Sequence, residues 1–339
     1  MAHLRDRLGR SRGNDDGGDG DRGQLVLVTA LVIAVVLVAL VLLVNAAIYT
    51  ENLATRDPSV GADDALAYRH TVVDGVGGVV VRENRAEYDD RADLEANVTA
   101  SVERLDAAVA DASLDGGVSA TVNESTLSYA DGRLVRQTTT GRNFTDASGL
   151  RADWTLASDV VGARNYAATV EPTVQTDAAN ASGDAFGVVV ADNDSTDTWE
   201  AYVYENAAGE VVLAVQNASE SSPTAACTTT ETEATVGFTA GTFAGESCPA
   251  LSWATGVDEG YQLRYVNGDA AVGTYDLTVR TESAGVVETA NLNDGTASDD
   301  PDSPYHVPAV YAAETAVSYD GPELVAEWTV RVAPGEPDG

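Results

Sequence analysis

Lysine is missing altogether: every one of the 19 basic residues in this 339-residue chain is arginine. That excludes a P-loop, a Schiff-base enzyme and a Ser-Lys dyad, each of which needs a lysine amine. Histidine is nearly as scarce, at His3, His70 and His306. No Gly-x-Ser-x-Gly elbow accompanies them, and no His/Cys cluster has the spacing of a zinc site. Carboxylates are plentiful, but two picked from 54 acids mean nothing without geometry. No catalytic residue, metal site or cofactor is therefore expected, and the chain reads as non-enzymatic. No basic stripe could neutralise phosphates, so nucleic acid is not an expected partner. Aromatic residues make up only 6% of the chain.

Acid is what the chain has in excess, with 54 acidic residues and a net charge of −35. The first 23 residues hold five Arg and five Asp, so the charge lies wholly in the remainder. A dense carboxylate shell repels itself unless counter-ions screen it, and at molar salt the Debye length falls to roughly 3 Å. The composition reads as a protein built for high salt.

Leu25 to Val44 form a run of twenty residues without charge, with Thr29 the only polar side chain. Twenty helical residues span about 30 Å, the hydrocarbon thickness of a bilayer. Arg5, Arg7, Arg10, Arg12 and Arg22 precede the run; Glu51, Asp57, Asp63 and Asp64 follow it. The positive-inside rule places the N-terminus in the cytoplasm and the body outside, as a single-pass protein of the cell membrane. Three readings remain open: a removable secretion signal, a permanent anchor, or the apolar helix of a filament subunit. A cleaved signal would have a shorter apolar stretch, although Asn45-Ala46-Ala47 imitates its cleavage site.

Arg22-Gly23-Gln24-Leu25 resembles the class III signal of archaeal type IV pilins: a charged residue, Gly or Ala, the cut, then an apolar helix. With "ENLATR", "GVGGVVVREN" and "RVAPGEP", the chain is similar to an uncharacterised haloarchaeal family of pilin-like membrane proteins. The resemblance implies processing between Gly23 and Gln24 by a prepilin peptidase, retention of the apolar helix, and partnership with the membrane and other pilin-like subunits. Val28 stands where bacterial type IV pilins generally carry a glutamate. The implied function is a subunit or minor component of a surface filament. The alternative is a permanently anchored ectodomain for adhesion or ligand binding.

The expected class is α+β: a transmembrane helix and an amphipathic stalk helix, then an antiparallel, sandwich-like extracellular β domain. The expected divisions are a charged leader at 1–23, the membrane helix at 24–48, a helical stalk at 49–115, β structure at 116–333 and a tail at 334–339. Leu94, Val98, Val102, Leu105 and Val109 follow the helical period. Gly75, Gly77 and Gly78 predict a kink or a second helix. Asp131-Gly132, Asn267-Gly268-Asp269 and Asp320-Gly321-Pro322 each predict a hairpin. Phe186 to Val190, Trp199 to Tyr204 and Glu210 to Val215 predict a meander. Asn293 to Pro304 reads as a loop or a boundary.

Cys227 and Cys248 are the only cysteines, and outside the cell such a pair predicts a disulfide, the alternative being two buried thiols. Sequons occur at Asn97, Asn123, Asn143, Asn180, Asn193 and Asn217, all on the expected outer side and so candidates for glycosylation. Asp192, Asp194 and Thr196 alternate as in a calcium loop. Asp197 stands where such a loop has glycine and Val203 where it has glutamate, so the stretch reads as a solvated turn.

Overall fold

The computed structural model describes residues 59–114, 117–281, 287–297 and 302–337. The leader, the apolar run and the processing residues Gly23 and Gln24 lie outside the described residues. Gly61–Gly339 forms a single compact unit.

Two helices open the described chain, α1 (Ser59–Arg85) and α2 (Arg91–Leu114). On α1, Ala65, Tyr68, Val72, Val76, Val79 and Val80 make a buried stripe; on α2, Leu94, Val98 and Val102 do the same. The stripes share one core with Ala120, Val122, Val310, Val317, Val330 and Val332 of the sheet. A free stalk would leave these side chains in water, at about 25 cal/mol per Å² of apolar surface.

The glycines do not bend α1; they are points of close approach. A Cβ on Gly75 would meet Leu105 of α2 at 2.7 Å, and one on Gly77 would meet Pro334 at 3.3 Å. The chain reverses instead at residues 86–90. Glu87 adopts a left-handed conformation there (φ 55°). Asp90 accepts from the backbone N–H of Ala92 at 2.6 Å and so starts α2.

Fourteen strands follow: β1 (Ser119–Gln137), β2 (Trp154–Pro172), β3 (Phe186–Ala191), β4 (Thr198–Glu205), β5 (Val211–Gln216), β6 (Thr224–Thr229), β7 (Ala234–Gly237), β8 (Thr242–Phe243), β9 (Glu246–Ser247), β10 (Tyr261–Val266), β11 (Ala271–Thr281), β12 (Asn293–Asp294), β13 (Tyr305–Asp320) and β14 (Val325–Val332). All belong to one hydrogen-bonded sheet, in the order β12-β13-β1-β11-β2-β10-β3-β4-β5-β6, with β14 on β13 and β7-β8-β9 branching from β2. Every pairing is antiparallel except β12 with β13.

This overturns the expected class. The described chain is mostly antiparallel β-sheet, 45% strand against 21% helix, and no helix among the described residues is long and apolar enough to cross a membrane. The helices pack on the sheet rather than standing off it as a stalk, and continuous pairing replaces two stacked layers.

Only one of the three expected hairpins forms around its turn signal: β13 and β14, closed by Asp320 pairing with Val325. Asp131-Gly132 lies inside β1, at a bulge opposite β13. The lack of a side chain on Gly132 admits Tyr311, whose Cβ would lie 3.0 Å from an added Cβ. Asn267-Gly268-Asp269 connects β10 to β11, but these strands do not pair with each other; each pairs with β2. The expected meander is β3-β4-β5.

The few aromatics are concentrated in a second core. All four phenylalanines are buried there with Trp154, Trp199, Tyr166, Tyr265 and Tyr275. Phe144 stacks on Phe186 with centroids 4.2 Å apart, and Tyr166 donates to Tyr265 at 2.9 Å. Trp253, from the loop after β9, sits 5.5 Å from Tyr166 of β2 and 5.3 Å from Trp199 of β4. Register shifts interrupt the pairing of β2 with β10 and with β11 along this core, irregularities of the kind that bend a strand.

Candidate interaction surface

The helical core carries a polar seam as well as an apolar stripe. Glu83 is buried between α1 and α2, where it accepts from Tyr88 at 2.7 Å and Ser101 at 3.1 Å and pairs with Arg82. Burial pushes its carboxyl upward, but the hydrogen bonds from Tyr88, Arg82 and Ser101 outweigh this and hold it below its ordinary value. One residue on, Asn84 is also buried. Its Nδ2 donates to the Val310 carbonyl, and its Oδ1 accepts from the Val310 N–H, both at 2.9 Å.

Arg164 of β2 reaches the same carbonyl from the sheet side. It is fully buried and donates from Nη2 to Val310 at 2.7 Å and from Nη1 to Pro334 at 2.9 Å. Its guanidinium lies 5.5 Å from the centre of the Tyr311 ring. Burial lowers its pKa to about 10, which leaves it charged at neutral pH. Tyr311 donates to Glu336 at 2.8 Å, and Arg331 grips the same carboxylate with two bonds of 2.5 and 2.9 Å. The backbone N–H of Asn165 donates to Gly335 at 3.2 Å. The segment after β14 is thereby tied down along the sheet.

Between that segment and α1 runs an open groove of about 890 Å³. Its floor is apolar, with Val73, Val81 and Pro334, and Gly78 leaves open space where a side chain would stand. Arg82, Arg85 and Arg331 line it against only Asp74 and Glu336. Three cations to two anions reverses the chain-wide ratio of 19 to 54. Arg331 is held by Glu336, and Arg82 by Glu83 although its side chain remains 62% exposed. Arg85 is exposed and has no ion-pair partner among the described residues.

The residues expected to matter from sequence are scattered. Cys227 of β6 and Cys248, just after β9, are joined in a disulfide with Cα atoms 6.2 Å apart. Asn97, Asn123 and Asn180 are exposed, while Asn217 is half-buried. Asn143 spends its side-chain N–H groups on the carbonyls of Asp269 (3.0 Å) and Ala271 (3.1 Å), so a glycan there would displace both bonds. Asn193 likewise donates to Asp159 at 2.9 Å. The Asp192 carboxylate accepts from the N–H groups of Asp194 and Ser195, closing its turn locally. Among the described residues no group of three or more His, Cys, Asp or Glu could hold a metal ion. His70 is exposed on α1. His306 is half-buried near Arg133 and Asp294, with burial holding its pKa below the ordinary value.

Asn84, Arg164 and the groove arginines were not singled out by sequence. Arg164 had a signal: in "VVGARNYAATV" it falls at strand spacing on the face of Tyr166, Ala168 and Val170, which a strand buries together. Asn84 had none, because its partner is 226 positions away.

Residues 19–151 match a protein-family model described as a family of unknown function, DUF7261. The match takes in the Arg22-Gly23-Gln24 motif, the apolar run, α1, α2 and β1, and ends in the loop before β2. No curated protein and no solved structure matches the chain.

Proposed function

We infer that the chain is a non-enzymatic surface protein of a salt-adapted cell, a pilin-like subunit or minor component of a type IV pilus-like filament. The observation that carries this is the charged-Gly-Gln motif directly ahead of an uncharged twenty-residue run. The physical mechanism is simple. Cutting after Gly23 separates the apolar helix from its five-arginine leader. The helices can then leave the bilayer and bury their apolar surface against one another. The sheet domain faces solvent outside the cell, and the disulfide suits an oxidising exterior.

Mass spectrometry of the membrane or filament fraction tests the reading. A mature chain beginning at Gln24 is expected. An intact leader instead makes the protein a permanently anchored ectodomain, the reading that the open groove beside α1 supports, with adhesion or ligand binding as its role. A start near Ala47 or Ile48 makes it a secreted protein.

A further inference from the structure

The body formed by α1, β13 and β14 has two unlike ends. Tyr68 of α1 packs on Tyr319 of β13, with ring centroids 5.9 Å apart, so the N-terminal half of α1 lies at the β13–β14 turn. The C-terminal half lines the groove beside Val332 and Pro334. Helix α1 therefore runs alongside β14 in the same direction. Eight strand residues separate the two ends by roughly 24 Å.

At the turn end, Val325 is 73% exposed and Leu66 of α1 is 49% exposed, two of the three large apolar side chains exposed among the described residues. Exposed acids stand around them: Asp63 and Asp64 on α1, Asp320 and Glu323 at the turn. The opposite end carries the groove, with its apolar floor and its surplus of arginine. One end is apolar and acidic; the other is apolar and presents Arg85, an exposed cation without an ion-pair partner among the described residues.

We propose that the β13–β14 turn of one copy docks in the α1–β14 groove of the next, a head-to-tail contact between copies of this chain. This rests on the filament reading and names its subunit contact. The ends are complementary in charge while the rest of the surface repels. Two chains of net charge −35 meet most favourably where one of them presents arginine. Val325 would enter the space that Gly78 leaves open, and Glu323 would lie within reach of Arg85, the groove cation without an ion-pair partner among the described residues. Because donor and acceptor patches lie at different ends of one body, the contact is heterologous and propagates rather than closing on itself.

The test uses the full chain in detergent at the lowest salt that keeps its molar-salt circular dichroism spectrum, where charge contacts are least screened, with Arg85→Glu to disable the groove and Glu323→Arg to disable the turn. Both side chains are exposed, and an unchanged circular dichroism spectrum verifies the fold. Sedimentation velocity should show wild-type chains forming a concentration-dependent ladder and each variant alone associating at least tenfold more weakly. Mixing the variants sets a native turn on a native groove at one junction and a charge-reversed turn on a charge-reversed groove at the next, so both junctions join opposite charges and the ladder should return with the two variants alternating. If both variants associate like wild type, or the mixture behaves as the sum of its parts, the docking contact is wrong. A mature terminus at Gln24 would leave the filament reading standing in that case. Wild-type chains that stay monomeric also overturn the contact, and the terminus again decides the filament question separately.

Discussion

Asn84 completes the edge of β13 at Val310. β12 pairs with β13 only at Tyr305 and His306, and β14 pairs with it only from Ala313 onward. Between them the strand's outer edge has no neighbouring strand among the described residues. There the Asn84 side chain, donating to the Val310 carbonyl and accepting from its N–H at 2.9 Å each, stands in for a strand backbone. The same carbonyl takes a second bond from Arg164, so one residue of β13 ties α1 to β2. Asn84→Ala would leave a buried N–H without a partner and weaken helix docking. The Val310 carbonyl keeps its bond from Arg164, so one unsatisfied buried group remains and a loss of about 1–3 kcal/mol is expected. Asn84→Asp should cost at least as much, because it sets a carboxylate against a carbonyl oxygen. Denaturant titration at constant molar salt measures both.

The three glycines of α1 should respond differently to alanine. Gly78 faces open space, with no atom within 4 Å of an added Cβ. Gly78→Ala should stabilise the chain by about 0.5–1 kcal/mol through the higher helix propensity of alanine. Gly75→Ala forces Leu105 aside from 2.7 Å, and Gly77→Ala presses on Pro334 at 3.3 Å. Both should gain less than Gly78→Ala or lose stability. Thermal unfolding of the three variants under one buffer gives the ranking, and equal gains would contradict the close packing of α1.

Acid should loosen the molecule through a small set of carboxylates. Hydrogen bonds from Tyr88, Arg82 and Ser101 overcome burial at Glu83, and the bond from Arg331 leads at Glu336; both groups are held below their ordinary value of 4.5. A lowered native pKa means the unfolded chain binds protons first. The stabilisation is therefore present above about pH 4.5 and is lost as pH falls through the native values. His306 acts in the same direction from a higher pH, since burial holds it below 6.5 and folding opposes its protonation. Stability should decline from near pH 6.5 and fall steeply below 4.5. Glu83→Gln should flatten the lower part of that profile, which unfolding midpoints measured against pH would show.

How much of this was readable in advance follows from the range of the interactions. The α2 stripe from Leu94 to Val102 was legible because helical period is local, and so was the β3-β4-β5 meander. The break between α1 and α2 was not, because the chain reverses without Gly or Pro, using Glu87 in a left-handed conformation and Asp90 as a cap. The glycines that drew attention serve packing against Leu105 and Pro334, partners distant in sequence. Asp131-Gly132 looked like a turn, yet β1 runs through it because Tyr311 needs the space. Pairing order was the least legible feature: β2 lies between β10 and β11, although these two are consecutive in the chain. The groove belongs to the same class, since α1 meets the segment after β14 only in the folded sheet.

Salt should decide whether the chain folds firmly at all. The net charge of −35 falls wholly after residue 23, in the part that contains the sheet. Arginine offsets little of it. Even the best-connected cation of the sheet, Arg136, serves two acids at once, Glu87 and Asp276. In dilute buffer carboxylates repel over roughly 10 Å or more, and each close pair costs up to about 1 kcal/mol even in water. Dozens of such terms stand against a net stability of about 5–15 kcal/mol. The apolar cores are not rich enough to ignore that sum, with aromatics at 6% and most buried residues Val or Ala. The Ala62–Gly339 fragment should therefore loosen or unfold below a few tenths molar salt and refold at molar salt, where the Debye length is roughly 3 Å. The disulfide should survive the transition and speed recovery, because it keeps β6 tied to the segment after β9 in the unfolded chain. Circular dichroism and hydrodynamic radius across a salt titration would follow the change. A fragment with the same β signal and radius in dilute buffer as in molar potassium chloride would refute the salt-adapted reading. The acidic surface would then require a cationic partner as its cause.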